Sequence, residues 1–358
     1  MNPMHQPASL KELAEAIRSV PRVVPVGAGT KPRLTTAEGV RISTAALSAM
    51  VEYEPQEFTF TAQAGIPLER LMNTLAACGQ YLPFDPPLVR AGATLGGTVA
   101  AGLSGPGRVR FGGVRDFILG VRFVDGAGRL LQLGGKVVKN AAGFDLPKFF
   151  CGSLGRFGML GELTFKVFPR PDAAVTLRLR AATPADRLRV FRVVGRSRWE
   201  PVAVEGVPGC CDVWVRLAGP ESAMSSLAAD VLAELPGERE SPGTDVMDSL
   251  REFDWAPQRG VLVKVPLTPV DTEALTPALN AIEGVRHQVG AGGTVAWVAW
   301  EDPGTMTAVG STLARLGLEG LTLRGDAPLW WSRSPRAAVE SAVKLALDPA
   351  HRFPPLDS

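Results

Sequence analysis

Backbone amides, more than side chains, are the groups of this 358-residue chain whose spacing could do chemistry. The apolar stretch Val23-Val24-Pro25-Val26 runs directly into Gly27-Ala28-Gly29-Thr30-Lys31. A strand ending in Gly-x-Gly turns several N–H groups toward one point, the geometry of a nest for a pyrophosphate. A second run, Gly92 to Asp116, holds eight glycines in 25 residues, with arginines only toward its end. Glycine adds no apolar surface and loses much backbone entropy on folding, so this density makes sense where backbone must touch a ligand. Tight packing of a helix on a sheet also selects small residues and is the competing account of the same run.

Two familiar phosphate loops fail at the first stretch. The Rossmann fingerprint needs a third glycine where Pro32 stands, followed by a helix, and 34–44 has no 3.6-residue period. The Walker loop needs Gly-Lys-Ser/Thr, whereas the order here is Gly29-Thr30-Lys31. Phosphate binding at this loop therefore belongs to another architecture. Metal chemistry has little to work with. Cys78, Cys151, Cys210 and Cys211 show no C-x-x-C spacing, and His5, His287 and His351 lie far apart, which argues against a zinc or iron–sulphur site. The cysteines read as mostly buried thiols of a reducing compartment.

The elements that must position these stretches follow from periodicity and punctuation. Ser9 and Glu12 form a capping box before Leu10, Leu13, Ala14 and Ile17, which predicts a helix over 10–19. Phe58, Phe60, Ala62 and Ala64 alternate with polar residues as a half-buried strand. Pro67 and Gly79 bracket a helix carrying Leu68, Leu71, Met72 and Leu75. Thr94 caps a short helix from Leu95 to Ala101 whose small side chains leave its backbone open to a flat ligand. Phe117–Val124 and Arg129–Leu133 form a hairpin across Asp125-Gly126-Ala127-Gly128, and a strong strand is expected over 162–168. From Ala174 the order βαββαβ then αββαβ predicts antiparallel sheet with helices on one face, similar to a doubled ferredoxin-like unit. Pro236 to Gln258 reads as a long irregular connection, and Trp330-Trp331 as packing.

Totals restrict the partners. With 46% hydrophobic and 21% charged residues the chain reads as globular and long enough for two cores. Residues 1–172 hold 19 basic and 13 acidic residues, a net +6, and the remainder is −4. That excess suits an anionic cofactor and is too scattered for nucleic acid. Apolar runs such as Ile118 to Val124 fall short of the roughly 20 residues that cross a bilayer. Met1 to Pro7 leads straight into polar helix-forming sequence, which points to a cytoplasmic chain, with any membrane contact made through a partner.

Taken in order, five motifs resemble flavoproteins of the PCMH or vanillyl-alcohol-oxidase type, in particular the FAD-binding E subunits of bacterial glycolate oxidases. They are Gly27 to Lys31, Leu82-Pro83-Phe84-Asp85-Pro86-Pro87, Gly92 to Pro106, Val114-Arg115-Asp116-Phe117 and Lys139-Asn140-Ala141-Ala142-Gly143-Phe144-Asp145. The resemblance is strong over 20–172, moderate over 344–355 and slight between. It implies an α+β fold: an FAD-binding domain of two α+β halves over 1–172, an α/β-sandwich cap with antiparallel sheet over 173–325, and a segment 326–358 returning to the FAD site. It assigns Val26, Gly27, Ala28, Gly29, Thr30 and Lys31 to the pyrophosphate. It assigns Ala93, Thr94, Gly96 and Gly97 to the same phosphates or the neighbouring ribityl chain, Ser104, Gly105 and Asp116 to the adjoining wall, Gly161 and Glu162 to the adenine side, and Pro86, Gly92 and Ala101 to cofactor binding in general.

Departures from the family pattern carry as much meaning. Relatives that attach flavin covalently have His where Thr30 stands, so the FAD is expected to be noncovalent. The histidines that oxidise hydroxy acids in related subunits are missing, and Arg352-Phe353-Pro354-Pro355 replaces the usual Phe-Asn-Pro-Gly. The resulting expectation is a flavin-carrying subunit of a glycolate (2-hydroxy acid) oxidase, with a sister FAD-binding subunit and an iron–sulphur subunit as partners. Its alternatives are a self-sufficient FAD oxidoreductase of a small alcohol or hydroxy acid, with Lys139, Asn140 or Arg324 binding substrate, and a non-catalytic scaffold subunit.

Overall fold

A computed structural model describes residues 4–135, 146–241, 245–332 and 337–356. The chain divides into two units, one of 1–104, 113–170 and 335–358, the other of 105–112 and 171–334.

The first unit begins with α1 (Leu10–Ser19), where Ser9 Oγ accepts the Glu12 N–H at 3.2 Å and the Glu12 carboxylate accepts the Ala8 N–H at 3.0 Å. This reciprocal cap fixes the start of the helix and turns Leu13, Ala14 and Ile17 inward. They pack with Val23, Ile42, Val124, Met159 and Phe353. Beneath them β1 (Val23–Val26) pairs in parallel with β2 (Val40–Ser43), Val23 opposite Val40 and Val26 opposite Ser43. A second sheet is antiparallel. It contains β3 (Met50–Glu54), β4 (Thr59–Gln63), β6 (Ile118–Val124), β7 (Leu130–Gly134) and β8 (Met159–Lys166) in the order β3-β4-β8-β6-β7. The helices α2 (Leu68–Ala76) and α3 (Leu95–Ala101) accompany it, and β5 (Gln80–Tyr81) pairs with β9 (Phe168–Pro169). Phe60 stacks on Phe165 at 5.8 Å in the core.

The C-terminal helix (Ala337–Leu347) and its tail belong to this unit. Lys344 Nζ, buried, donates to Arg156 O at 2.6 Å, Asp348 Oδ2 at 2.7 Å, and Phe353 O and Pro354 O at 3.1 Å each. Val23 N–H donates to Arg352 O at 2.7 Å, so the tail continues the hydrogen bonding of β1.

The second unit contains the turn α4 (Arg108–Phe111) and two sheets. One is built from β10 (Ala173–Leu179), α5 (Pro184–Arg196), β11 (Ala203–Gly206), β12 (Val213–Gly219), α6 (Glu221–Glu234) and β13 (Gly237–Arg239), with strand order β11-β12-β10-β13. After α7 (Val246–Glu252) the other follows as β14 (Val261–Pro266), α8 (Asp271–Asn280), β15 (Arg286–Gly290), β16 (Val295–Trp300), α9 (Met306–Arg315), β17 (Gly320–Arg324) and β18 (Trp330–Trp331). Its order is β15-β16-β14-β17-β18. Each half is βαββαβ with its first strand between its third and fourth, which is the doubled ferredoxin-like arrangement.

Several local expectations are corrected. Phe58 is outside β4: it ends a 3-10 turn at φ 53° and is 40% exposed, because the alternation that includes it begins only at Thr59. The strand expected over 162–168 is β8, which starts earlier, at Met159 among the glycines, and ends at Lys166. The 236–258 connection is not irregular, for β13 and α7 lie in it. Val246, Met247 and Leu250 of α7 bury against Ala203 and Trp214, a tertiary contact that makes a seven-residue helix worth forming. Cys78 and Cys210 are exposed, and Cys151 and Cys211 half-buried: Cys78 follows the end of α2, and Cys210 and Cys211 lie in the loop between β11 and β12. Trp331 does pack, with its Nε1–H donated to Thr322 Oγ1 at 2.9 Å and its ring 6.0 Å from that of Trp300.

Candidate cofactor-binding site

A cleft of about 690 Å³, open to solvent, lies in the first unit beyond the end of β1. Residues 25–31 form one side. Thr94, Gly97 and Ala101, spaced by three and four residues on α3 and its cap, form another together with Gly96 and Ala100. Thr44 after β2, Ala64 after β4, Leu34, Thr35, and Leu154, Gly155, Gly158, Met159 and Leu160 at the start of β8 and just before it complete the lining.

The donors come from the loop after β1. Gly29 takes the left-handed φ of 75°, and among the described residues the N–H groups of Ala28, Gly29, Thr30 and Lys31 have no protein acceptor. The start of α3 is different. Leu95 N–H donates to Ile66 O at 3.1 Å, Gly96 N–H to Ala64 O at 2.8 Å and Gly97 N–H to Thr94 Oγ1 at 3.3 Å. Ala93 N–H is likewise donated to Leu88 O at 3.0 Å. The helix therefore offers shape where the loop offers hydrogen bonds. A Cβ on Gly27 would lie 2.6 Å from Thr94 Oγ1, and one on Gly96 would lie 2.6 Å from the Cβ of Ala64. Loop, helix and strand meet more closely than side chains permit.

Lys31 is the one titratable side chain among the described lining residues. It is only 7% exposed, its Nζ donates to Thr30 Oγ1 at 2.9 Å, and no described carboxylate pairs with it. Burial disfavours the ammonium form and pushes its pKa down to about 8. Open amides beside a buried cation make a receptor for a polyanion, and the small faces of Gly97, Ala100 and Ala101 leave room for a flat group beside it. The donor set thus fits the pyrophosphate of a dinucleotide. Among the described lining residues there is no His, Cys or Tyr.

The residues expected from sequence divide into four groups. Val26, Gly27, Ala28, Gly29, Thr30, Lys31, Thr94, Gly96, Gly97 and Ala101 line the cleft together. Others in the first unit lie off its lining. Pro86 is buried, Gly92 is an exposed turn residue at φ 83°, and Ser104 Oγ accepts the Val114 N–H at 2.8 Å. Asp116 accepts the Gly113 N–H at 2.8 Å, a Cβ on Gly161 would meet Leu10 Cδ2 at 2.5 Å, and Glu162 pairs with Arg122 at 2.7 Å. Gly105 belongs to the second unit, as does Arg324, which donates to Pro257 O at 2.6 Å and is half-buried. Lys139 and Asn140 lie outside the described residues. The sequence reading missed Pro25, Leu34, Thr35, Thr44, Ala64, Ala100 and, in one stretch, Leu154, Gly155, Gly158, Met159 and Leu160. Gly155 and Gly158 were the available signal for the last of these, just ahead of the Gly161 and Glu162 that the resemblance named.

Elsewhere, burial and the nearby Arg187 guanidinium push the His287 pKa down to about 4, so this imidazole is neutral at physiological pH. No group of three His, Cys, Asp or Glu among the described residues could hold a metal, and no described helix is long and apolar enough to cross a membrane.

Residues 4–134 match the FAD binding domain family, and the unit around the cleft carries a PCMH-type FAD-binding domain. Within that class it is similar to glycolate oxidase subunit GlcE of Escherichia coli, 35% identical over 61% of this chain and 62% of the relative. It is also similar to D-2-hydroxyglutarate dehydrogenase of Xanthomonas citri, 31% identical over 48% of this chain and 38% of that protein. The chain thus spans less than two thirds of the length of these relatives. The fold is shared with alkyldihydroxyacetonephosphate synthase, whose structure superimposes with a TM-score of 0.72 at 16% identity, covering 97% of this chain and 76% of that one.

Proposed function

We propose that this chain is the flavin-carrying subunit of a complex that oxidises glycolate or a similar 2-hydroxy acid, with FAD bound noncovalently in the cleft. The carrying observation is the set of open amides at 28–31 beside buried Lys31, in a domain similar to that of subunit GlcE. The amides hold the pyrophosphate. Gly97, Ala100 and Ala101 present a flat wall to the rest of the cofactor, and Leu154, Met159 and Leu160 exclude water from it. When bound, FAD supplies the capacity to accept and pass on a pair of electrons. Noncovalent attachment is supported by Thr30 at the attachment position and by the lack of His, Cys or Tyr among the described lining residues.

Lys31, placed at the phosphate end, is poorly suited to remove a proton from substrate, and no other described lining side chain titrates. The general base for a hydroxy acid is accordingly assigned to a sister flavoprotein, with an iron–sulphur protein receiving the electrons. The similarity to hydroxy-acid dehydrogenases supports a second reading, in which this chain oxidises a hydroxy acid by itself. Anaerobic mixing with glycolate distinguishes the two. The isolated, flavin-loaded chain is expected to stay yellow and to bleach only when its partners are added. Bleaching of the isolated chain would establish the second reading, and a chain that releases no FAD on denaturation would end both.

A further inference from the structure

We propose that the Lys31 ammonium, held by the Thr30 hydroxyl, is a charge clamp that reads the diphosphate of the cofactor and makes the cleft select a dinucleotide over an uncharged flavin. The inference rests on the reading that the cleft holds FAD, and it adds a side-chain charge to a site otherwise made of backbone.

Four observations converge. Lys31 lines the cleft while only 7% exposed, and its Nζ donates to the hydroxyl of Thr30, which lines the cleft as well, so the ammonium is largely out of water beside the site. It has no described carboxylate partner, and burial of a cation without an anion is costly. An ammonium carries three donors, and the bond to Thr30 Oγ1 uses one of them. The N–H groups of 28–31, without protein acceptors, lie on the same loop. A ligand that brings negative charge relieves the ammonium and satisfies the amides in one step, whereas riboflavin brings no anion. Because the carbonyl of Lys31 also accepts the Leu34 N–H at 3.1 Å, the residue joins the nest to the 3-10 turn that follows it. Charge-assisted hydrogen bonds of this kind are roughly twice as strong as neutral ones.

The test compares flavin-free wild type with Lys31→Met, using FAD, ADP and riboflavin as probes. Flavin binding is followed by fluorescence, ADP binding by calorimetry, and the melting temperature of each flavin-free protein is recorded. The substitution is expected to weaken FAD and ADP by at least about 10-fold, to change riboflavin by less than about twofold, and to leave the flavin-free protein at least as stable. Unchanged FAD and ADP binding would overturn the clamp while leaving the FAD assignment intact. Equal weakening of riboflavin and FAD, or a lowered melting temperature without ligand, would make Lys31 a structural residue and overturn the clamp as well. Wild-type protein that binds no FAD would overturn both this inference and the proposed function.

Discussion

Replacing Lys31 with Met should make the flavin-free protein more stable, although it removes a hydrogen-bonded residue from the cofactor site. Burial lowers the pKa of this lysine from 10.5 to about 8. Below pH 8 the amine is charged in both folded and unfolded chains, and the folded state carries the whole desolvation cost. Linkage converts a shift of that size into about 3 kcal/mol. Between about pH 8 and pH 10.5 the unfolded chain binds the extra proton, so wild-type stability rises with pH and the cost disappears above the unfolded pKa. Loss of the bond to Thr30 subtracts about 1 kcal/mol from the gain of the variant. The net expectation is a flavin-free Lys31→Met more stable by about 2 kcal/mol at pH 7, with the advantage gone near pH 10.5. Urea denaturation of both proteins at pH 7, 9 and 10.5 measures it. A variant less stable at pH 7, or an advantage that persists at pH 10.5, would refute the account of Lys31 as an uncompensated buried cation.

Lys344→Met should destabilise the first unit by about 3–5 kcal/mol, because Asp348 and three carbonyl oxygens would lose a buried partner; chemical denaturation reads this directly. Gly96→Val and Gly97→Val should separate fold from cofactor. A Cβ at 96 meets Ala64 at 2.6 Å and is expected to lower stability by about 1–3 kcal/mol. At 97 the nearest atom is the rotatable Thr94 hydroxyl at 3.0 Å, so the added bulk projects into the cleft and FAD content falls while secondary structure by circular dichroism persists.

Much of the local structure was legible because its causes are local. Ser9 and Glu12 cap α1, Thr94 caps α3 with Gly102 at φ 62° closing it, and apolar runs on either side of the turn Asp125-Gly126-Ala127-Gly128 mark β6 and β7. The βαββαβ order in the second half was readable for the same reason. Short elements were not. β2 is four residues long, and α7 owes its existence to burial against Ala203 and Trp214, which no window of sequence contains.

At the site, sequence by itself determined where the chain is able to approach a ligand. Gly-x-Gly after an apolar strand, and a helix nearly free of large side chains, are properties of residue type alone. Only the tertiary structure decided how the work is divided. Both stretches looked like amide donors, yet strand and turn carbonyls such as Ala64 O and Ile66 O already accept the first amides of α3, leaving those of 28–31 open. It also decided the character of Lys31, an ordinary lysine by sequence, which becomes a buried cation because Thr30 and the cleft walls enclose it. Amide availability and desolvation both depend on neighbours distant in the chain, and that is why packing alone sets them.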